Sequence, residues 1–209
     1  MLEYGYLVNR SKIIKNKTRL ANFQLTDSIE NPLDLCEHLP FRIAVVSNLL
    51  ALNRDWHIRN LCELDPKEMR VLINIGSYMP IKSADIAYQS RMDSYSVSRA
   101  VKKLLAAELI DTQNDLHKKN VKNLVLTAKG KTLYQNITSA IEARSQQLES
   151  VVNESELTLL FDILERLESK SEQLLAQQAI QFIEEGQKAP ADQKELIRWY
   201  KKSNRQLND

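Results

Sequence analysis

Nine residues constrain this chain more than any others: four glycines and five prolines spread over 209 positions. Together they are about 4% of the chain, where an average soluble protein has roughly 12%. So few chain breakers exclude a collagen-like, glycine-rich or proline-rich disordered chain. They also argue against an all-β sandwich, which needs a turn every ~8–12 residues. The expected class is therefore mainly α. With 43% hydrophobic and 27% charged residues, the chain can bury a core.

No run of ~18 apolar residues is present, so no transmembrane helix is expected. The first residues, MLEYGYLVNRSKIIK, do not have the basic-then-apolar order of a secretory signal. Cys36 and Cys62 are the only cysteines, too few for a disulfide framework. A cytoplasmic protein without membrane partners is the expectation.

The formal net charge of +2 conceals strong blocks. Residues 1–19 carry a net +4, residues 82–131 a net +5 and residues 141–185 a net −7. A map this polar bears on partners rather than on fold. The basic middle suits a polyanion, and the acidic segment suits water. Taken alone, each block also fits a solvated face.

Helical spacing runs through most of the chain. In residues 33–54, Leu39, Ile43, Val46 and Leu50 share a face, and Pro40 places the helix start near Leu39. Asp65-Pro66 reads as an N-cap followed by proline at the first helical position. Met69, Leu72, Ile73 and Ile75 follow, with a stop between Gly76 and Pro80. Ser83 is expected to cap a short helix through Gln89, and residues 90–93 to turn. Asp93 or Ser94 then caps a second helix to about Ala107. Its apolar stripe is Val97, Val101, Leu104 and Leu105; Tyr95, Arg99, Lys102 and Lys103 point the other way. Helix, tight turn, helix with a basic outer face is a helix-turn-helix pattern.

Residues 109–112 and 124–126 are β-prone, and the polar, basic QNDLHKKNVKN lies between them. This reads as a two-stranded β wing, with His117, Lys118, Lys119 and Lys122 at or near its tip. Residues 128–151 form one long amphipathic segment of ~36 Å, with Leu133, Ile137, Ile141, Leu148 and Val151 on a common face. Asn153 and Glu156 match a capping box, and Leu157, Leu160, Phe161, Leu164 and Leu167 follow. Helices that outrun a small domain suit a partner subunit or an internal bundle. SEQLLAQQAIQFIEE continues helically to a break between Gly186 and Pro190. Asp192 and Glu195 match another capping box ahead of LIRWYKK. Leu196, Ile197, Trp199 and Tyr200 give that last helix a docking face, toward the dimer or another protein.

Residues 64–167 resemble the MarR family of winged helix-turn-helix transcription regulators. The stretches that carry the resemblance are LDPKEMRVL, SADIAYQSRMDSYSVSRAVKKLLAAELI and NLVLTAKGKTLYQNI. Ile86-Ala87, Val97-Ser98-Arg99, Val101, Leu104-Leu105, Leu109-Ile110, Leu126-Thr127 and Gly130 fit the family in order and spacing. Residues 31–63 fit its first dimerisation helix more loosely. The resulting organisation is a basic extension over residues 1–30, a winged-helix domain with long dimerisation helices over 31–170, and a helical extension over 171–209.

The resemblance implies a homodimer on a pseudo-palindromic duplex, with two recognition helices in successive major grooves ~34 Å apart. Arg99 would then give guanine O6 and N7 a bidentate pair. Ser94, Tyr95 and Ser96 would reach bases or phosphates, and Lys102 and Lys103 would hold the backbone. Against these roles stand a pairing of Arg99 with Asp93 and a packed Tyr95. The family's wing usually carries an Asp-x-Arg pair, but those positions fall at Lys118 and Asn120. Lys118, Lys119 and Lys122 supply charge there without an arginine's planar fork. Leu109 lacks the glycine that usually precedes it, and Glu108 stands there instead. Small aromatic acids or phenols are effectors for many members, and such a pocket would involve Arg42 to Val46, Met69 and Leu133.

No phosphate-cradling glycine loop, HExxH or GxSxG motif is present, and His38, His57 and His117 are scattered. Neither catalysis, a cofactor nor a metal site is expected. Cys36 is read as an inert thiol rather than a redox sensor. RSKIIKNKTR has two readings, an arm that tracks phosphates or a solvated extension. The competing function class is a winged-helix adaptor that binds protein and has weak or no specific DNA binding.

Overall fold

The computed structural model describes residues 23–114 and 122–206. They fall into two compact units, one ending at Arg54 and one beginning at Asp55. In the first unit, α1 spans Leu39–Leu50 and a 3-10 turn follows over Leu52–Arg54. His38 caps α1 through Nδ1, which accepts the Phe41 N–H at 3.3 Å. Pro40 lies in the first turn, where a missing N–H costs nothing. No residue of α1 is buried, and Leu39, Ile43, Val46 and Leu50 remain exposed along one side.

The second unit begins with α2 (Trp56–Arg59), capped by Asp55, whose carboxylate also meets Arg144 at 3.6 Å. Next come α3 (Pro66–Tyr78), α4 (Ser83–Ser90) and α5 (Ser94–Ala106). Strands β1 (Ile110–Asn114) and β2 (Lys122–Leu126) pair antiparallel, Ile110 opposite Leu126 and Asn114 opposite Lys122. Helices α6 (Ala128–Glu149), α7 (Glu154–Glu184) and α8 (Ala191–Gln206) complete the chain.

Several starts follow from local chemistry. Asp65 and Glu68 form a full capping box with Pro66 at the first helical position, and Asn153 and Glu156 form another on α7. Asp93 caps α5 by accepting the Ser96 N–H at 2.7 Å. Ser83, expected as a cap, instead opens α4, and Lys82 holds the cap position without a side-chain bond. The cause lies one residue upstream, where Ile81 exchanges two backbone hydrogen bonds with Leu124, of 3.2 and 2.8 Å. That bridge keeps the chain extended up to Lys82.

Apolar side chains from α3 to α6 make one core. Val71, Leu72 and Ile75 of α3 meet Ile86 and Ala87 of α4, Val97, Val101 and Leu104 of α5, and Ile137 of α6. Ile110, Leu124 and Leu126 close it from the sheet. Gly130 makes the last approach possible: a Cβ there would run into the carbonyl oxygen of Leu109. The Thr127 N–H donates to that oxygen at 3.1 Å, seating the start of α6 on the end of α5's connection to β1.

The C-terminal helices depart from the sequence reading in one respect. Asp192 and Glu195 do not form a capping box on α8. Glu195 is buried, 6% exposed, and turned toward α5. Trp199 of α8 joins the winged-helix core, and Leu196 packs against it. The docking face expected on this segment is thus used within its own chain.

Candidate nucleic-acid interface

The α5 helix divides sharply. Val97, Ala100, Val101 and Leu104 are buried, while Tyr95, Ser98, Arg99 and Lys102 are exposed on the outer side. The period of 3.6 residues produces this split, since positions three and four apart share a face. Tyr95 is 72% exposed rather than packed, and the Arg99 guanidinium stands 5.8 Å from its ring centroid. Asp93 is engaged at the cap, so the rival pairing with Arg99 does not form. Among the described residues, Lys102 has no ion pair.

Three of the sequence-predicted residues are held by protein partners. Lys103 lies 2.5 Å from the Glu68 carboxylate, which keeps its ammonium charged to a higher pH than usual. Ser96 accepts from the Lys67 ammonium at 2.9 Å. At Ser94 the backbone N–H donates to Glu195 Oε2 at 3.2 Å, and the hydroxyl donates to Glu195 Oε1. Lys122 is exposed at the first position of β2. His117, Lys118 and Lys119 lie outside the described residues.

Two residues missed by sequence reasoning fix this arrangement. Arg91 closes α4 in a left-handed conformation, φ 48°. Its guanidinium donates to Glu172 at 2.6 Å, lies 3.2 Å from Glu168 and faces the Tyr88 ring at 4.5 Å. The Trp199 ring centroid lies 5.8 Å from the same guanidinium. Arg91 thus ties the turn of the helix-turn-helix to α7. Glu195 ties α8 to the start of α5. Its sequence signal was real but ambiguous, because a glutamate three residues after an aspartate also spells a capping box. Nothing local marked Arg91, whose partners lie 77 and 81 positions downstream.

The remaining sequence candidates concern other chemistry. Burial pushes the Cys36 thiol up, and the neighbouring Asp34 adds to the effect, so the reactive thiolate is disfavoured. Met69 is buried and Leu133 packs against the core. No described helix is long and apolar enough to cross a membrane.

No family model matches the chain, and no curated protein matches its sequence. Solved structures do match. A MarR/EmrR family transcriptional regulator from Acinetobacter sp. ADP1 is 25% identical, with a TM-score of 0.62 over 68% of this chain and 99% of that one. The MepR–DNA complex of S. aureus is 20% identical, with a TM-score of 0.57 over 64% and 98%. The PcaV regulator of Streptomyces coelicolor, in complex with its natural ligand, is 17% identical, with a TM-score of 0.56 over 66% and 96%. The fold of this chain, then, is a winged helix-turn-helix similar to that of MarR-type regulators.

Proposed function

We propose that this chain is a DNA-binding transcription regulator that acts as a homodimer on a pseudo-palindromic duplex. One observation carries the reading: Tyr95, Ser98, Arg99 and Lys102 stand together on the free side of α5, on a winged-helix scaffold. Arg99 is the base reader in this proposal, since its fork matches guanine O6 and N7. Tyr95 beside it limits the guanidinium's freedom. Lys102 and Lys122 neutralise phosphates, and Lys118 and Lys119, outside the described residues, are assigned the same role. Lys103 acts indirectly, by joining α5 to α3 through Glu68. A cytoplasmic location and a non-enzymatic role go with this reading.

The dimer rests on apolar surface. Leu160, Phe161 and Leu164 are exposed on α7, as are Ile43, Val46 and Leu50 on α1. Rows of this kind are costly to leave in water. The DNA in the MepR structure supports the duplex as target, and the ligand of PcaV supports a small-molecule effector.

Fluorescence anisotropy on duplexes selected from a random library tests the proposal. Arg99→Ala is expected to cost about 1–3 kcal/mol on the preferred sequence, roughly five- to 150-fold in affinity. Unchanged affinity and unchanged base preference would remove α5 as the recognition helix. The adaptor reading would then stand in its place.

A further inference from the structure

We infer that α8 is a second DNA-contacting element, a phosphate-binding helix set against the N-terminus of α5. This rests on the DNA-binding reading above and extends it to a surface outside the helix-turn-helix and wing.

The helix ADQKELIRWYKKSNRQ holds five basic and two acidic residues. Lys194, Arg198, Lys201 and Arg205 are all exposed. At 100° per residue they fall within a wedge of ~60°, and the stripe runs ~16 Å along the axis. Both acidic residues lie off this stripe. Among the described residues, Lys194, Lys201 and Arg205 form no ion pair.

The stripe's direction follows from what the other sides of α8 touch. Tyr200 and Asn204 line a cleft with Asp162, Glu165 and Arg166 of α7, so acidic α7 lies on their side. Trp199 faces the core. Glu195 faces Ser94, and its Oε1, which accepts the Ser94 hydroxyl, is 4.0 Å from Arg198. Arg198 and the first residue of α5 therefore share one carboxylate oxygen. Arg198 stands beside the recognition helix with 70% of its side chain exposed. Lys202 meets Asp85 of α4 at 2.9 Å, which holds the same edge of α8 against the helix-turn-helix. A duplex carries one charge per ~1.7 Å of axis, so such a stripe meets phosphates along its whole length.

The test is a salt titration of the full-length chain with a labelled 40-base-pair duplex of random sequence. The variant replaces Lys194, Arg198, Lys201 and Arg205 with glutamine, exposed positions whose change leaves the core intact; circular dichroism and thermal melting verify that. Each lost phosphate contact removes about 0.9 from the slope of log affinity against log salt. Loss of two to four contacts makes the affinity drop between 50 and 200 mM salt about ten- to hundredfold smaller than for wild type. Arg99→Ala serves as the comparison and keeps most of the wild-type slope. A quadruple variant with the wild-type slope overturns the role of α8 and leaves that of α5 standing. Tighter binding by the variant overturns it too, and makes α8 a cover over the interface. Wild-type protein that binds no duplex at low salt brings down the DNA-binding reading itself.

Discussion

Glu108 sits in the left-handed region at φ 57°, at the turn from α5 into β1. A side chain there costs roughly 1–2 kcal/mol, and glycine would remove most of that cost. Its own conformational freedom in the unfolded chain offsets part of the gain. Glu108→Gly is therefore expected to raise stability by about 0.5–1 kcal/mol, read as a higher urea midpoint at constant slope. A lower midpoint would mean that the Glu108 side chain makes a compensating interaction. Gly130 is the opposite case, required because the Leu109 carbonyl occupies the space of a Cβ. Both facts were latent in the sequence, one as a missing glycine and the other as a present one. Lys103 shows the limit of such reading. It lies on the polar side of α5 as its spacing demands, yet its charge is spent on Glu68, 35 positions away.

The α5 start is a titratable element. Hydrogen bonds from the Ser96 side chain and backbone hold the Asp93 carboxyl below the ordinary range. At Asp65, partial burial pushes the carboxyl up, but hydrogen bonds at Glu68 and Lys67 outweigh it and the net shift is downward. A carboxyl depressed in the folded state stabilises fully above its unfolded value of about 3.9. That stability is lost as pH falls through the folded value. The expected result is a drop in unfolding midpoint below about pH 4, smaller for Asp93→Asn, which still caps but cannot titrate. Equal acid sensitivity in the two proteins would take Asp93 out of the account. α8 shows how an element's role can change while its helical state does not. Its periodicity was plain, but whether Glu195 served α8 or α5 depended on the packing of Trp199.

For the whole molecule, the proposed dimer is tested on the apolar surface left on α7. Leu160→Glu with Leu164→Glu is expected to raise the dimer dissociation constant at least about hundredfold, since burying unpaired charge is costly. Sedimentation equilibrium reads this, with unchanged helical signal as the folding check. A wild-type chain that sediments as a monomer at all concentrations would refute the dimer. The sequence by itself determined the helical class, the order of helix-turn-helix and wing, most helix starts and the buried stripe of α5 except Leu105, which is exposed. These depend on turn residues, capping side chains and a 3.6-residue period, all of which act over a few positions. Only the tertiary structure decided that α8 folds back on its own winged domain, that Arg91 is clasped by Glu168 and Glu172, and which cations of α5 stay free. Those outcomes join residues 35 to 117 positions apart. A side chain's local pattern fixes the face it lies on, whereas its partner is chosen by whichever distant element packs there.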